Sequence, residues 1–114
     1  MNSYLTGKLG EEIAAKYLVK KGYKLTDASF RSRYGEIDLV VRKGRTVVFV
    51  EVKTRKDKNF ASASENVDRH KIEKIKKTAA AWMEKYDQNF NYRFDVIEVY
   101  TENMAVNHIE NAFQ

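Results

Sequence analysis

The chain has 114 residues, 43% of them hydrophobic, which is enough for one modest core in one compact domain over residues 1–114. It contains no cysteine, which excludes disulfides and thiolate zinc sites, and its net charge of +5 favours polyanionic partners. Because no apolar run approaches the roughly 20 residues that span a bilayer, and no secretion signal opens the chain, we expect a cytoplasmic protein with no membrane partner.

The first predicted element is a helix from about Asn2 to Lys21, closed by Gly22 as its C′ glycine. At about 100° per residue, Glu11 falls at the border of the buried arc and faces inward. Gly7 and Gly10 are unusual inside a helix, where each costs about 1 kcal/mol relative to alanine. They indicate either a frayed first turn, which we favour, or the close approach of another backbone or a phosphate. The buried arc contains Leu9, Ile13, Ala14, Tyr17 and Leu18.

Three strands are predicted next, at Tyr23 to Phe30, Glu36 to Arg42 and Arg45 to Lys53. The last two are rich in valine and isoleucine and form a hairpin. Lys43-Gly44 fits a two-residue turn between them, with glycine supplying a positive φ. The polar stretch from Thr54 to Asn66 predicts a loop.

The second half of the chain predicts a helix from about Val67 to Tyr86, with Ser62 and Glu65 as a candidate capping box. A strand from Tyr92 to Tyr100 follows, and Ala105 to Ile109 predicts a short edge strand. The order αβββαβ(β) is that of a mixed α/β fold. The helix stripe consists of Val67, Ile72, Ile75, Ala79, Trp82 and Tyr86.

The predicted hairpin gathers charge at one end of an otherwise apolar face. A turn at Lys43-Gly44 pairs Asp38 with Phe49 and Glu36 with Glu51, and opposed residues share a face. That face is apolar in its middle, so both strands are predicted to be central and covered on both sides. The other face is almost wholly apolar and consists of Ile37, Leu39, Val41, Thr46, Val48, Val50 and Val52.

Clustered carboxylates on such a face raise one another's pKa and resist ionisation. A divalent cation removes that penalty, and Mg²⁺ and Mn²⁺ prefer carboxylate, carbonyl and water oxygens. The competing interpretation is a structural salt-bridge cluster in which Lys53 neutralises Glu51, and spacing alone does not separate the two. A turn one residue longer would put Asp38 and Glu51 on opposite faces.

Asp38, then Glu51-Val52-Lys53 on the next strand, with the helical Glu11 before them, resembles the PD-(D/E)XK nuclease superfamily. More closely, the chain resembles the YraN family of small bacterial endonuclease-like proteins, and in layout the archaeal Holliday junction resolvases. The resemblance covers nearly the full chain and implies one endonuclease-like domain with a restriction-endonuclease-like fold, a central mixed sheet flanked by helices. The stretches that carry it are Gly10-Glu11 with Ala14 and Leu18, Gly22-Tyr23, Gly35-Glu36-Ile37-Asp38-Leu39, Phe49-Val50-Glu51-Val52-Lys53, Val67 with Lys71, Arg93-Phe94-Asp95-Val96 and Asn111-Ala112-Phe113.

The resemblance also implies roles for individual residues. Asp38, Glu51 and the backbone carbonyl of Val52 would bind Mg²⁺ or Mn²⁺, and Glu11 would join them from the first helix, directly or through a water. Lys53 would orient or help deprotonate the attacking water. These residues would together hydrolyse a phosphodiester bond.

Several basic residues surround the predicted site. Arg31, Arg33 and Arg55 flank its acidic end, so we expect them to contact DNA phosphates. Lys71 lies one turn into the second helix, where its spacing alone is that of a solvated helix face, and it is the resemblance that implies phosphate contact there. Glu36 shares the acidic face but lies toward its margin, so we expect it to act beside the metal ligands or toward the DNA.

Other polar and aromatic residues are assigned to structure. Arg93 and Asp95 are expected to form a structural ion pair, and Tyr86 is expected in the core. His108 is not at ligand spacing with any carboxylate. Tyr34 suits either base stacking or simple packing.

The function expected from the site and the resemblance is metal-dependent cleavage of DNA, with branched or single-stranded recombination and repair intermediates as candidate substrates. The alternatives are a nucleic-acid-binding module without turnover and a scaffold in DNA uptake or recombination. A homodimer is a candidate assembly, by analogy with resolvases.

Overall fold

A computed structural model of the protein describes residues 3–56, 69–86 and 89–113, with side chains from residue 6 onward. Its elements follow the order αβββαββ, which confirms the predicted mixed α/β layout and the second C-terminal strand. Neither described helix has the length and apolar character needed to cross a membrane. The elements are α1 (Ser3–Lys20), β1 (Lys24–Ser32), β2 (Gly35–Lys43), β3 (Thr46–Arg55), α2 (Arg69–Tyr86), β4 (Asn91–Tyr100) and β5 (Ala105–Ile109).

The five strands form one sheet in the spatial order β1-β2-β3-β4-β5. β3 and β4 are parallel and the other neighbours are antiparallel, so the sheet is mixed. A parallel pair needs a crossover connection, and α2 lies within the connection between these two strands. The strand that carries Glu51 and Lys53 is therefore the central one, paired along its whole length with β4.

Each face of the sheet packs against one helix, so β2 and β3 are covered on both sides, as predicted. α1 contributes Ala14 and Leu18 to the first core, and α2 contributes Ile75, Ala79 and Trp82 to the second. Strands buried on both faces have continuous apolar runs rather than simple alternation, which explains the valine-rich sequence. The sheet residues of the first core are Leu39, Val41, Val48, Val50, Ile97 and Val99, and those of the second are Ile37, Val40, Val47, Phe49 and Phe94.

The end of α1 confirms Gly22 as the residue that stops the helix. Gly22 has φ of 96°, a conformation that glycine adopts without steric cost. The amide of Tyr23 then donates to the carbonyl of Leu18 at 3.0 Å, which satisfies a carbonyl of the last turn. The chain leaves the helix here and enters β1.

The predicted turn of the hairpin is wrong by one residue. Lys43 pairs with Thr46, so the turn residues are Gly44 and Arg45, and Gly44 has φ of 61° at the first turn position. The pairing slides by two residues relative to the prediction, and a shift of two preserves the face of every side chain. Asp38 and Glu51 are the residues directly beyond the pair Leu39–Val50 on β2 and β3. They therefore lie closer together than in the predicted pairing, where Asp38 was opposite Phe49.

Alternation fails at Ile37. It was predicted on the face of Leu39, but it packs in the second core against α2, whereas Leu39 lies in the first core against α1. The opposing stretch of β1 contains Ser29, whose φ of 52° is unusual in a strand. An irregularity of this kind re-aims side chains locally, here on both sides of Asp38.

The predictions for α2 hold for Trp82 and fail for Tyr86. Trp82 is buried and donates its Nε1 proton to Asp27 at 3.1 Å. Tyr86 is 53% exposed: it is the last residue of the helix, where its ring contacts those of Trp82 and Phe30 but is not enclosed. Most of the predicted loop from residue 54 to 66, the capping box and residues 67–68 lie outside the described residues, and β3 continues to Arg55 before that region.

A buried polar cluster ties the C-terminus to β4, and it confirms the Arg93–Asp95 ion pair. The two carboxylate oxygens of Asp95 accept from Arg93 at 2.8 and 2.9 Å. His108 Nε2 lies 2.7 Å from the same carboxylate, so the interpretation that His108 is not at ligand spacing with any carboxylate is wrong. The backbone amide of Asn111 adds a fourth bond at 3.0 Å. Asp95 is completely buried, and the cluster fastens β5 and the chain after it to the sheet.

Candidate metal centre

Gly10 lets α1 approach β3 closely. A Cβ atom at this position would collide with the side chain of Thr54, whereas at Gly7 it would meet no atom of the described residues within 4 Å. The favoured interpretation of a frayed turn is therefore wrong for Gly10, which lies inside a regular helix against the sheet. Since Glu11 is the next residue, this contact sets how near its carboxylate comes to β2 and β3.

Gly10→Ala is accordingly expected to destabilise the protein, and Gly7→Ala to stabilise it slightly. Alanine gains about 1 kcal/mol of helix propensity at either position. At Gly10 that gain is outweighed by overpacking against the stiff β-branched Thr54, which costs about 1–3 kcal/mol. Because the propensity gain is common to both variants, urea unfolding is expected to separate them by the overpacking cost, about 1–3 kcal/mol. Equal stabilities would contradict the close approach.

The strands β2 and β3 stop pairing where the acidic residues begin. The last backbone pair before the site is Leu39–Val50. Beyond it, the amide of Val52 donates to Oδ2 of Asp38 at 2.8 Å, so a side chain replaces the ladder bond. The Asp38 carboxylate is thereby held against the backbone of the central strand.

Three carboxylates converge at this end of the sheet. Glu11 from α1 and Glu36 and Asp38 from β2 each offer an oxygen, and these oxygens lie within 4.8 Å of one another. All three residues are partly buried. Glu51 lies outside this group of three and instead shares a hydrogen bond with Asp38. The sequence placed Glu36 at the margin, but its carboxylate is a member of the group.

The electrostatics of the cluster act mainly on Asp38. Burial, the hydrogen bond to Glu51 and the repulsion of its charge raise the pKa of Asp38 to about 8. The amide of Val52 opposes that rise without cancelling it. At neutral pH the Asp38 carboxyl therefore keeps its proton unless a cation replaces it.

Two lysines lie beside these carboxylates. Lys71 Nζ is 2.8 Å from Oε2 of Glu51, so the second helix does reach the cleft. Burial works against the charge of Lys71, but the bond to Glu51 outweighs it and raises its pKa. For Lys53, burial and the neighbouring Lys71 both lower the pKa of the ammonium. The cluster thus holds one strongly charged lysine and one that releases its proton more easily.

The donor set fits a hard divalent cation. Carboxylate oxygens are preferred ligands of Mg²⁺ and Mn²⁺, and Glu11, Glu36 and Asp38 supply three from two elements. A carboxyl group that folding keeps protonated gains its charge only when a cation arrives. The backbone carbonyl of Val52 as a further ligand stays a prediction.

Comparison with known proteins places the chain in a family. The model of the family described as "Uncharacterised protein family UPF0102" matches residues 10–99, a span that contains every residue of the site. The chain belongs to the UPF0102 family. A UPF0102 protein of Caldanaerobacter subterraneus is 46% identical over an alignment of 119 positions, which covers 99% of this chain and 98% of that protein. A UPF0102 protein of Vibrio campbellii is 41% identical over 109 residues, which cover 93% and 89%.

These matches confirm the YraN-like resemblance at the level of the UPF0102 family. They also show that the whole length of the chain resembles single proteins of similar size.

The basic residues predicted to contact DNA occupy different positions around the group of three carboxylates. Arg31 bonds Glu36 at 2.6 Å with an 80% exposed side chain, and Arg33 is exposed at the β1–β2 turn. Arg55 is bound to Glu98 at 3.2 Å, and both side chains are largely buried. Arg31, Arg33 and Lys71 therefore present charge at the acidic end of the sheet, and for all four residues DNA contact stays a prediction.

A second group of possible ligands, Asp95, His108 and Glu110, also has oxygen or nitrogen atoms within 4.8 Å of one another. Arg93 already bonds Asp95 and lies 3.6 Å from Glu110, so a guanidinium provides the positive charge there. No local pattern in the sequence indicates this group, because it depends on the pairing of β5 with β4.

Proposed function

We propose that this UPF0102 protein is a metal-dependent DNA endonuclease that hydrolyses phosphodiester bonds with Mg²⁺ or Mn²⁺. The observation that carries the proposal is the convergence of the Glu11, Glu36 and Asp38 carboxylates, with Asp38 held protonated and Lys53 beside it. In a structural salt-bridge cluster, Asp38 would be ionised and paired with a basic side chain. Here the nearest lysine contact, that of Lys71, goes to Glu51.

The residues have distinct roles in this proposal. Glu11, Glu36 and Asp38 would hold the cation, and Glu51, which lies beside Asp38 and is bonded to Lys71, would be placed to join them. A bound divalent cation supplies Lewis-acid polarisation of the phosphate and lowers the pKa of a water. Lys53 would orient or help deprotonate the attacking water and would donate a hydrogen bond to the phosphate.

The order of these residues supports membership of the PD-(D/E)XK superfamily. Asp38 lies on β2, and Glu51-Val52-Lys53 lies on β3, its antiparallel neighbour. Glu11 reaches the same end from α1. The mixed sheet with one helix on each face agrees with the restriction-endonuclease-like layout that the superfamily has, and branched or single-stranded intermediates are the proposed substrates.

Lys53→Met is expected to reduce Mn²⁺-dependent cleavage by roughly 10²–10⁴-fold, the usual contribution of a positioned acid–base group. The assay uses linear, nicked, flapped and four-way DNAs with Mn²⁺. Lys24→Met, at an exposed position of β1, is the matched control and is expected to cleave as wild type does. Wild-type rates in Lys53→Met would contradict the proposed role.

The non-catalytic alternative gives a different result in the same assay. A binding module retains salt-dependent DNA binding and cleaves none of the four substrates at any Mn²⁺ concentration. Binding without cleavage by the wild-type protein would therefore reject the nuclease proposal.

A further inference from the structure

The turn between β1 and β2 is a rigid tip that rests on α2. Ser32 pairs with Gly35, which leaves Arg33 and Tyr34 as the turn residues. The Oγ atom of Ser32 lies 3.1 Å from Oγ1 of Thr78 in α2, and it accepts the amide proton of Tyr34 at 3.0 Å. The tip is therefore tied to the helix by the side-chain bond between Ser32 and Thr78, at a partly buried position.

Two cations from different elements converge on the ring of Tyr34. The Arg33 guanidinium donates to the Tyr34 hydroxyl at 2.7 Å and lies 4.9 Å from the ring centroid. Lys77 of α2 places its Nζ 5.5 Å from the same centroid. Within residues 3–56, 69–86 and 89–113, no carboxylate lies within 4 Å of either cation, whereas the nearby Arg31 and Lys71 each bind one.

This arrangement gives two positive charges a fixed geometry without neutralising them. An aromatic ring orients a cation by its quadrupole but leaves its net charge in place. Arg33 and Lys77 are both exposed, so they are accessible to an anion from solvent.

The tip lies next to the carboxylate group. Tyr34 is two residues before Glu36, a distance of about 7 Å along an extended chain. One strand of DNA advances about 3.4 Å per nucleotide along the helix axis. A strand whose scissile phosphate lies at the carboxylates thus brings another phosphate, one or two nucleotides away, to the tip.

We propose that Arg33 and Lys77, assembled around Tyr34, form a phosphodiester-binding site for the DNA strand that enters the carboxylate cluster. This inference rests on the proposed nuclease function, since it identifies where that substrate is held. Phosphate contacts of this kind fix the register of a nucleic acid and carry no sequence information.

The same helix provides a matched control. Lys85 lies 5.2 Å from the ring of Tyr86, so it makes a comparable cation–π contact. It follows Lys77 by eight residues, about 12 Å along a helix, and has no arginine of a hairpin tip beside it. If cation–π packing were the only role of Lys77, changes at Lys77 and Lys85 would have the same effect on DNA binding.

The experiment measures binding of a fluorescent forked DNA, which has duplex and single-stranded arms, in EDTA across a range of salt concentrations. The Arg33→Gln/Lys77→Gln double variant is expected to bind about 10-fold more weakly at low salt. Its salt slope should fall by about 0.7–0.9, the value for one phosphate contact. Lys85→Gln is expected to match wild type in both, and thermal unfolding checks that each variant is folded.

The outcomes separate this site from the nuclease function, because binding in EDTA needs no cleavage. An unchanged slope in the double variant, or equal effects of Lys85→Gln, overturns the phosphate site even if the wild type cleaves DNA. If the wild-type protein never cleaves DNA but the double variant has a smaller salt slope than wild type, the phosphate site is supported and the nuclease proposal is rejected. Absence of any DNA binding by the wild type overturns the inference.

Discussion

Asp38→Asn is expected to abolish metal-dependent cleavage and, at neutral pH, to stabilise the fold. Burial and the neighbouring Glu51 raise the pKa of Asp38 from 3.8 to about 8. Between these values the folded chain holds a proton that the unfolded chain releases. The free energy of unfolding therefore falls as pH rises, by up to about 1.4 kcal/mol per pH unit. Asparagine does not ionise, so the unfolding free energy of the variant does not fall with pH on account of this position. Its side-chain oxygen can still accept the amide proton of Val52.

The expected gain in unfolding free energy is on the order of 2–4 kcal/mol at pH 7 and approaches zero near pH 4, where the unfolded aspartate is also protonated. Urea unfolding between pH 4 and 8 measures it. Glu12→Gln is the control, because Glu12 is 64% exposed and pairs with Lys16 on the helix surface. A variant that is less stable than wild type at pH 7, or a difference that is constant with pH, would contradict the assignment.

Manganese provides the second arm of this prediction. A cation that binds only the folded state stabilises it in proportion to the logarithm of its concentration. Mn²⁺ is therefore expected to raise the unfolding midpoint of the wild type, but not that of Asp38→Asn, and cleavage should fall by about 10³-fold or more. An equal Mn²⁺ effect on both proteins would place the cation elsewhere.

The elements could be predicted from local pattern because their causes are local. Alternating and continuous apolar runs mark the strands, and Gly22 marks the end of α1. The edge strand Ala105–Ile109 was predicted with its observed bounds. The predicted hairpin turn is off by one residue because Gly44 can provide a positive φ at either of two turn positions, and only cross-strand packing decides between them.

The candidate site could be predicted only in part. The shared face of Asp38 and Glu51 follows from hairpin geometry, and it survived the slip because the pairing moved by two residues. The membership of Glu36 depends on the irregular stretch around Ser29 and Ile37, which has no pattern in the sequence. The bond between Lys71 and Glu51 depends on where α2 crosses the sheet, and that is a tertiary property.

Arg93→Met is expected to be the most destabilising single change among the polar residues, with a loss of about 3–5 kcal/mol in unfolding free energy. Arg93 makes two bonds to Asp95 and one to the hydroxyl of Tyr23 at 2.7 Å. Methionine preserves most of the side-chain volume but leaves a fully buried carboxylate without its main cation. His108 and the amide of Asn111 are the partners that remain.

The pH dependence distinguishes loss of the ion pair from loss of packing. In the wild type, burial raises the pKa of Asp95, but the bonds from Arg93, Asn111 and His108 outweigh burial and lower it. The stabilisation is therefore fully present above the ordinary value of 3.8 and is lost as the pH falls through the lower folded value. Without Arg93, burial raises the pKa of Asp95, and its protonation removes the free-energy cost of a buried, unpaired charge. The loss of unfolding free energy in Arg93→Met relative to wild type should therefore shrink as the pH falls toward 4. A loss of unfolding free energy that does not depend on pH would attribute the effect to packing. The control is Lys16→Met, at a 76% exposed side chain, which should lose almost no unfolding free energy.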